Sequence, residues 1–387
     1  MVAVTPTNGA EQPWDVIVVG AGPAGCAAAA AVLAEDPDAR LLLLDRSDFP
    51  RDKPCGDGVA SEVGEVLAAL GFDTDAVFAA MPPVRRLRIH SPAGVRVDRE
   101  LPDAVHVAPR EVFDARLVAD VQRRGAELRQ HTVREVTVQA GEIVLDGALR
   151  ARIVIAADGA ESRVRRAAGW PAPRPAQVAV AIRGYAPELP DQAGTQVIRL
   201  TGEHWPAYAW SFPLGDGRAN VGYGQLIGAT VPTRSHLLDR MTQLLPGVDP
   251  HPDRLRAHRL PLSSGRPAIR AGRILLAGDA QSLINPLTGE GIFYAVTSGG
   301  LAGRSAVAAL RTGVDAGLDY RRAMGRHLHR HFRHTTALAR LGRWHGIFDA
   351  GMRAAAADQR AFDDLVRLGL ADGLVTGRVV ARLRFRG

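Results

Sequence analysis

The sequence predicts an α/β protein: a Rossmann-like, mainly parallel nucleotide-binding sheet, interrupted by an inserted antiparallel sheet and closed by C-terminal helices. Three observations predict it. A short apolar run ends in a glycine-rich turn that opens an alanine-rich helix, short strands rich in aromatic and β-branched residues follow, and a buried-strand pattern returns late in the chain.

Asp15 to Val19 reads as a buried strand, Ala24 to Leu33 as a helix and Leu41 to Leu44 as a second strand, together one βαβ unit. Leu87 to Val107 changes to short strands with Ser-Pro and Pro-Asp turns, and Glu111 to Arg124 is helical. Val133–Val138, Glu142–Leu145 and Arg150–Ala156 read as a meander ending in Ala157-Asp158-Gly159. Strands at Gln177–Ile182, Gln196–Leu200, Tyr208–Phe212 and Ala219–Tyr223 form the inserted sheet. Arg273 to Ala277 returns to the buried-strand pattern, and Gly289 to Leu310 is a long helical run. The expected division is a discontinuous nucleotide domain (1–80, 100–175 and 266–316), a substrate domain (81–99 and 176–265) and a helical segment (317–387). Pro171 to Pro175 reads as a linker.

Length and composition set the outer bounds. A chain of 387 residues is long enough for two packed domains, and 46% apolar with 23% charged residues excludes a disordered or fibrous protein. The net charge of +7 comes from 47 arginines and one lysine, Lys53, a bias that does not imply nucleic acid. Residues 1–80 hold 13 acidic against 4 basic side chains, whereas residues 301–387 hold 16 arginines against 7 aspartates. Two cysteines, Cys26 and Cys55, make no disulfide framework and fit a reducing cytoplasm. Met1 to Trp14 lacks the basic region of a secretory signal. Val16 to Ala34 is long enough to span a membrane, but three glycines and a proline in its first half mark a turn instead.

The turn Gly20-Ala21-Gly22-Pro23-Ala24-Gly25 carries the first chemistry. Gly20 permits the tight turn, Gly22 lets backbone approach a pyrophosphate, Gly25 lets helix pack on strand, and the helix N-terminus offers N–H donors. Asp45 ends the next strand 20 residues after Gly25, where a carboxylate accepts ribose hydroxyls. Further on, Gly278-Asp279 ends a buried strand and Pro286-Leu287-Thr288-Gly289-Glu290-Gly291 opens a helix whose N-terminus suits the charge of a reduced flavin.

With Asp158-Gly159, these elements in this order resemble the FAD-binding fold of p-hydroxybenzoate hydroxylase and its relatives. By that resemblance Asp45 would meet the adenosine ribose of FAD, Arg110 the pyrophosphate and Asp279 the ribityl-phosphate region. Arg110 as a helix-end charge and Asp158 as a turn residue stay open. A closer resemblance lies in Phe49-Pro50-Arg51-Asp52-Lys53-Pro54-Cys55-Gly56-Asp57-Gly58 and in Tyr208-Ala209-Trp210-Ser211-Phe212-Pro213 with Asn220-Val221-Gly222. Both are similar to motifs of the geranylgeranyl reductase family.

That resemblance implies a Cys55-Gly56 segment beside the isoalloxazine and a lipid cavity walled by Tyr208, Trp210 and Phe212. Cofactor contacts are then expected at Gly20, Gly22, Gly25, Asp45, Arg46, Cys55, Gly56, Arg110, Asp158, Asp279, Pro286, Gly289 and Gly291. Cys55 is a proton donor or a tuner of access near flavin N5, or else a small residue packed under the ring. Cys26 is expected in the core, and Lys53 in a loop ion pair with its neighbours Arg51 and Asp52. The run His327-Leu328-His329-Arg330-His331 with His334 has arginines that repel a cation and no carboxylate, so it reads as a solvated or membrane-facing helix and not as a metal site.

The leading expectation is an FAD-dependent reductase of carbon–carbon double bonds in an isoprenoid or similar apolar substrate, with hydride delivered from flavin N5. An anionic head group on that substrate and peripheral contact at the inner face of the membrane are further expectations. NADPH or a ferredoxin-like protein would supply electrons, since no second glycine-rich strand-turn-helix unit is present. The alternatives are a flavin monooxygenase of a terpenoid or aromatic metabolite, then a flavin-dependent halogenase. A prenyl-binding protein on the same fold is the non-enzymatic one.

Overall fold

The computed structural model describes residues 12–139, 141–192, 194–251, 254–341 and 345–382. Met1 to Glu11, most of the segment read as lacking a secretory signal, lies outside the described residues.

The chain begins with β1 (Trp14–Val19), α1 (Pro23–Glu35) and β2 (Leu41–Asp45). Next come β3 (Gly58–Val59), α2 (Ser61–Ala69), α3 (Thr74–Phe78), β4 (Pro83–His90), β5 (Arg96–Val107) and α4 (Arg110–Arg123). Strands β6 (Glu127–Gln130), β7 (Val136–Gln139), β8 (Glu142–Leu145) and β9 (Leu149–Ala156) lead to α5 (Arg163–Ala167). The insertion holds β10 (Val178–Pro187), β11 (Gln196–Leu200), β12 (Ala207–Pro213), β13 (Arg218–Leu226), α6 (Arg234–Leu244) and β14 (Arg256–Pro261). Then follow β15 (Ile274–Leu276), α7 (Ile292–Thr312), α8 (Ala316–Leu341), α9 (His345–Ala357), α10 (Gln359–Leu370) and α11 (Gly377–Arg382).

Two sheets organise these elements. The first runs β6-β2-β1-β9-β8-β7 with β15 also on β9; β6, β2, β1, β9 and β15 are mutually parallel and the meander β7-β8-β9 is antiparallel. The second runs β14-β10-β13-β12-β11-β4-β5-β3. It is antiparallel except where β11 lies parallel to β4. The insertion was expected to form an antiparallel sheet and does; the parallel pair arises because β4 and β11 come from distant stretches that no hairpin joins.

Helix α1 is buried along almost its whole length, from Pro23 to Leu33, which explains why alanines fill it: α7 packs on its outer side and the sheet on its inner side. A Cβ on Gly25 would lie 1.8 Å from the Gly20 carbonyl oxygen, so this crossing of turn and helix admits only glycine. Cys26 is fully buried in the same core.

Helix α6 covers one face of the second sheet with Leu237 and Met241, and Leu245 just after it joins them. Helices α9 and α10 pack Met352, Ala355 and Phe362 against Val84, Leu87, Val97 and Val105 of the same sheet. Helix α7 starts at Ile292, three residues later than the apolar pattern suggests, because Gly289 has φ +75° and Gly291 is the N-cap. The His/Arg-rich run lies on α8 and is not wholly solvated. His331 is buried, its ring nitrogens 2.8 Å from the Tyr294 hydroxyl and 2.7 Å from the Gly373 carbonyl, while His327 and His329 are exposed. Among the described residues no group of three or more His, Cys, Asp or Glu side chains is arranged to hold a metal. No described helix is long and apolar enough to cross a membrane.

Candidate functional site

One cavity of about 430 Å³ opens where the carboxyl ends of the parallel strands meet the second sheet. Its wall begins at Gly22, at the start of α1, and at Arg110, the first residue of α4. An added Cβ on Gly22 would stand 3.7 Å from an Arg51 guanidinium nitrogen and 3.8 Å from one of Arg110, so bare backbone faces two cations across a narrow slot. Arg110 is buried and donates to Asp114 through two bonds of 2.6 Å, and Arg51 lies 3.2 Å from the same carboxylate. Burial opposes the Arg110 charge, but Asp114 outweighs it and raises the guanidinium pKa above its ordinary value. Arg110 therefore stays charged although it is buried.

Asp45 stands behind this slot. Its carboxylate accepts the Ala21 N–H at 2.9 Å and the Ser47 N–H at 3.0 Å, so it fixes the glycine turn and keeps further lone pairs free. Arg46 is exposed beside Gln130, His131, Thr132 and Arg134, in a separate hollow. Gly20 and Gly25 serve the turn and lie off the cavity wall. Asp158 caps α5 by accepting the Arg163 and Val164 N–H groups at 2.7 and 3.1 Å.

Asp279 sits just after β15 and lines the cavity. Its partner is Lys53, 3.1 Å away. Lys53 therefore does not pair with its sequence neighbours: Arg51 turns to Asp45 and Asp114, and Asp52 binds Arg183. The loop expectation failed because each of these three charges meets a partner from another element. Across the same space His258, opposite Ala181 in β10, has a buried Nε2 with no hydrogen-bond partner among the described residues. Burial, then the nearby Lys53 charge, lowers its pKa to about 4.

Pro286, Gly289 and Gly291 line the cavity at the start of α7. This helix end was expected to face a bound anion. Glu290 already uses part of it, accepting the Phe293 N–H at 2.8 Å. Burial pushes its carboxyl up to about 7.

Tyr208, Trp210 and Phe212 project from one face of β12 into the cavity, while Ala207 and Ala209 face α6. Ring centroids are 5.9 Å apart for Tyr208 and Trp210 and 6.4 Å for Trp210 and Phe212. The Tyr208 hydroxyl donates to the Thr288 carbonyl, tying this wall to the α7 approach. Cys55 and Gly56 lie on the facing loop, and a Cβ on Gly56 would stand 3.4 Å from the Trp210 indole nitrogen. Burial raises the Cys55 thiol pKa, so the group carries its proton at neutral pH. Beyond the aromatics the wall is apolar and passes to Phe348, Met352, Phe362 and Leu365 of the C-terminal helices.

Asn220, Arg183, His258 and Glu290 are site residues that the sequence reading did not assign. Glu290 stood between two named glycines, the one local signal that could have found it.

The FAD binding domain family matches residues 13–225. Digeranylgeranylglycerophospholipid reductase 1 of Methanopyrus kandleri is 34% identical over 322 residues, covering 77% of this chain and 81% of that protein. A geranylgeranyl bacteriochlorophyll reductase-like protein of Thermoplasma acidophilum superimposes with a TM-score of 0.76 at 23% identity over 96% of both chains. This chain belongs to the geranylgeranyl reductase family of FAD-binding proteins. Another relative, menaquinone reductase of Mycolicibacterium smegmatis, is 33% identical over 319 residues, 74% of this chain and 75% of its own. Halogenase structures share the fold at lower identity. As a geranylgeranyl reductase family member, the protein is an FAD-dependent oxidoreductase.

Proposed function

We propose that the protein reduces carbon–carbon double bonds in an isoprenoid chain held in the cavity beside FAD. The observation that carries this reading is the continuity of one wall. It runs from the cationic slot at Gly22 and Arg110, past Cys55 and the aromatic strand, to apolar side chains of the C-terminal helices. A polar cofactor suits the first part and a long apolar chain the last.

The residues present fit FAD. Gly22 with Arg51 and Arg110 would hold the pyrophosphate, Asp45 the adenosine ribose, and Asp279 the ribityl-phosphate side, with Lys53 fixing that carboxylate. Bound FAD would supply hydride transfer. The protein's own work is then orientation, exclusion of water and custody of a proton. Tyr208, Trp210 and Phe212 give a flat apolar wall for an alkene, and the protonated Cys55 thiol on the opposite loop would supply the proton.

Electrons would come from NADPH bound transiently or from a ferredoxin-like protein. The isoprenoid would reach the cavity from an anionic membrane surface, met by α8: Arg322, Arg326, Arg330 and Arg333 are exposed there and take part in none of the ion pairs among the described residues.

The test is anaerobic reduction of the FAD-loaded protein followed by geranylgeranyl diphosphate or a geranylgeranyl lipid. Flavin reoxidation with a mass gain of two hydrogens per reduced bond is expected. Reoxidation only on admission of oxygen would overturn the reading in favour of a monooxygenase.

A further inference from the structure

Asn220 on β13 is fully buried and makes three hydrogen bonds, two to one loop of the site and one to its aromatic wall. Its Oδ1 accepts from the Trp210 indole N–H at 2.8 Å. Its Nδ2 donates to the Cys55 carbonyl at 2.9 Å and to the Asp57 carboxylate at 2.7 Å. The same Asp57 oxygen accepts from the Tyr185 hydroxyl at 2.6 Å, and Tyr185 faces Asn220 across the β10–β13 ladder.

The chemistry of the partners orients the amide. An indole only donates, whereas a carbonyl and a carboxylate only accept, so the oxygen must face Trp210 and the nitrogen the cysteine loop. Each of its two N–H groups and its oxygen has a match. A hydroxyl cannot donate twice, and a carboxylate cannot donate at all. The partners also belong to separate pieces of chain: Cys55 and Asp57 lie on the loop before β3, with Asp57 held at φ +58°, and Trp210 belongs to the aromatic wall.

We propose that Asn220 is a positioning residue that fixes the Cys55 loop and the Trp210 wall in one register, and so sets where the thiol stands relative to a chain lying on the aromatics. It does not line the cavity itself. It acts through the Cys55 carbonyl and the Trp210 indole, both of which belong to cavity-lining residues. The importance of the thiol rests on the proposed reduction, but the loop geometry does not.

The variants Asn220→Asp and the double Asn220→Asp with Asp57→Asn separate positioning from folding. The single change removes both donors and sets two carboxyls against each other, so thermal stability should fall. The double change restores a donor–acceptor pair at the Asp57 side and leaves Trp210 its acceptor, but it turns the Tyr185 hydroxyl from donor to acceptor, because both bonds use one Asp57 oxygen, and it strands the Cys55 carbonyl. Its melting temperature should return towards that of the wild type.

The readouts are the rate of Cys55 labelling by a thiol reagent, with and without FAD, and kcat and KM for a geranylgeranyl substrate. Cys26 is fully buried and silent, and Cys55→Ser marks the background. In the double variant labelling should quicken by roughly ten-fold, the scale of one net buried hydrogen bond, with kcat lowered and KM held. A double variant that melts, labels and turns over like the wild type would overturn the proposal. So would a single variant whose labelling and kcat are unchanged. Altered labelling in a protein that reduces no isoprenoid would retain the positioning role and reject the substrate reading alone.

Discussion

The Lys53 ammonium lies 3.1 Å from the Asp279 carboxylate, although 226 positions separate the two residues in the chain. The pair joins the loop that carries Cys55 to the turn after β15, and it holds the Asp279 pKa below its ordinary value although burial acts the other way. Asp279 therefore stays ionised inside the cavity, able to accept hydrogen bonds from a cofactor's hydroxyls.

Removal of that acceptor should weaken FAD binding. Asp279→Ala is expected to lower affinity by at least about ten-fold, the cost of one or two charge-assisted bonds, while the chain stays soluble and folded. Titration of apoprotein with FAD, followed by flavin fluorescence, measures it. Wild-type affinity in Asp279→Ala would mean that FAD does not use this carboxylate.

Much of the cofactor half was legible in the sequence because its signals are local. A strand, three glycines at fixed offsets and Asp45 specify one turn whatever the rest of the chain does, and Tyr208, Trp210 and Phe212 share a face by the alternation of a strand alone. Lys53 and Asn220 were not legible in the same way. Their roles depend on partners 226 and up to 165 positions away, which only the pairing of sheets and loops brings together. The His/Arg-rich run shows the same limit: spacing put His327 and His331 on one helical face, yet burial against Tyr294 and Gly373 separates them.

Glu290 makes stability depend on pH. Its carboxyl titrates near 7 in the folded chain against an ordinary 4.5, so between those values the folded state binds more protons than the unfolded one, and stability falls as pH rises. Glu290→Gln removes that dependence while keeping an acceptor for the Phe293 N–H. Melting temperatures should be similar at pH 5 and higher for the variant at pH 8, by at least about 1 °C, the scale of one kcal/mol in a chain of this size. Equal melting at pH 8 would place the Glu290 carboxyl in water.

The arginines of α8 predict salt-sensitive attachment to anionic vesicles. Arg326, Arg330 and Arg333 recur along the exposed side of this helix, whose inner side buries Leu328 and Phe332. Each arginine near an anionic surface contributes about 1 kcal/mol, so Arg326→Glu, Arg330→Glu and Arg333→Glu together should weaken vesicle cosedimentation on the order of a hundred-fold. Turnover of a detergent-dispersed substrate should not change. Wild-type protein that remains in the supernatant with phosphatidylglycerol vesicles at low salt would end this assignment.

Chain-length preference should respond to the apolar part of the wall. Leu365 lies on α10, half-buried, and lines the cavity with Met352 and Phe362. Leu365→Trp adds bulk where the reading places the substrate's tail, far in chemistry from the cationic slot that FAD would use. A twenty-carbon isoprenoid should then lose kcat/KM by roughly ten-fold or more, since overpacking an apolar site costs about 1–3 kcal/mol. A ten-carbon substrate should be turned over as before, and FAD affinity should not move. Equal losses for both lengths would mean that the tail does not run between the second sheet and the C-terminal helices, and would confine the substrate to the space between Cys55 and Trp210.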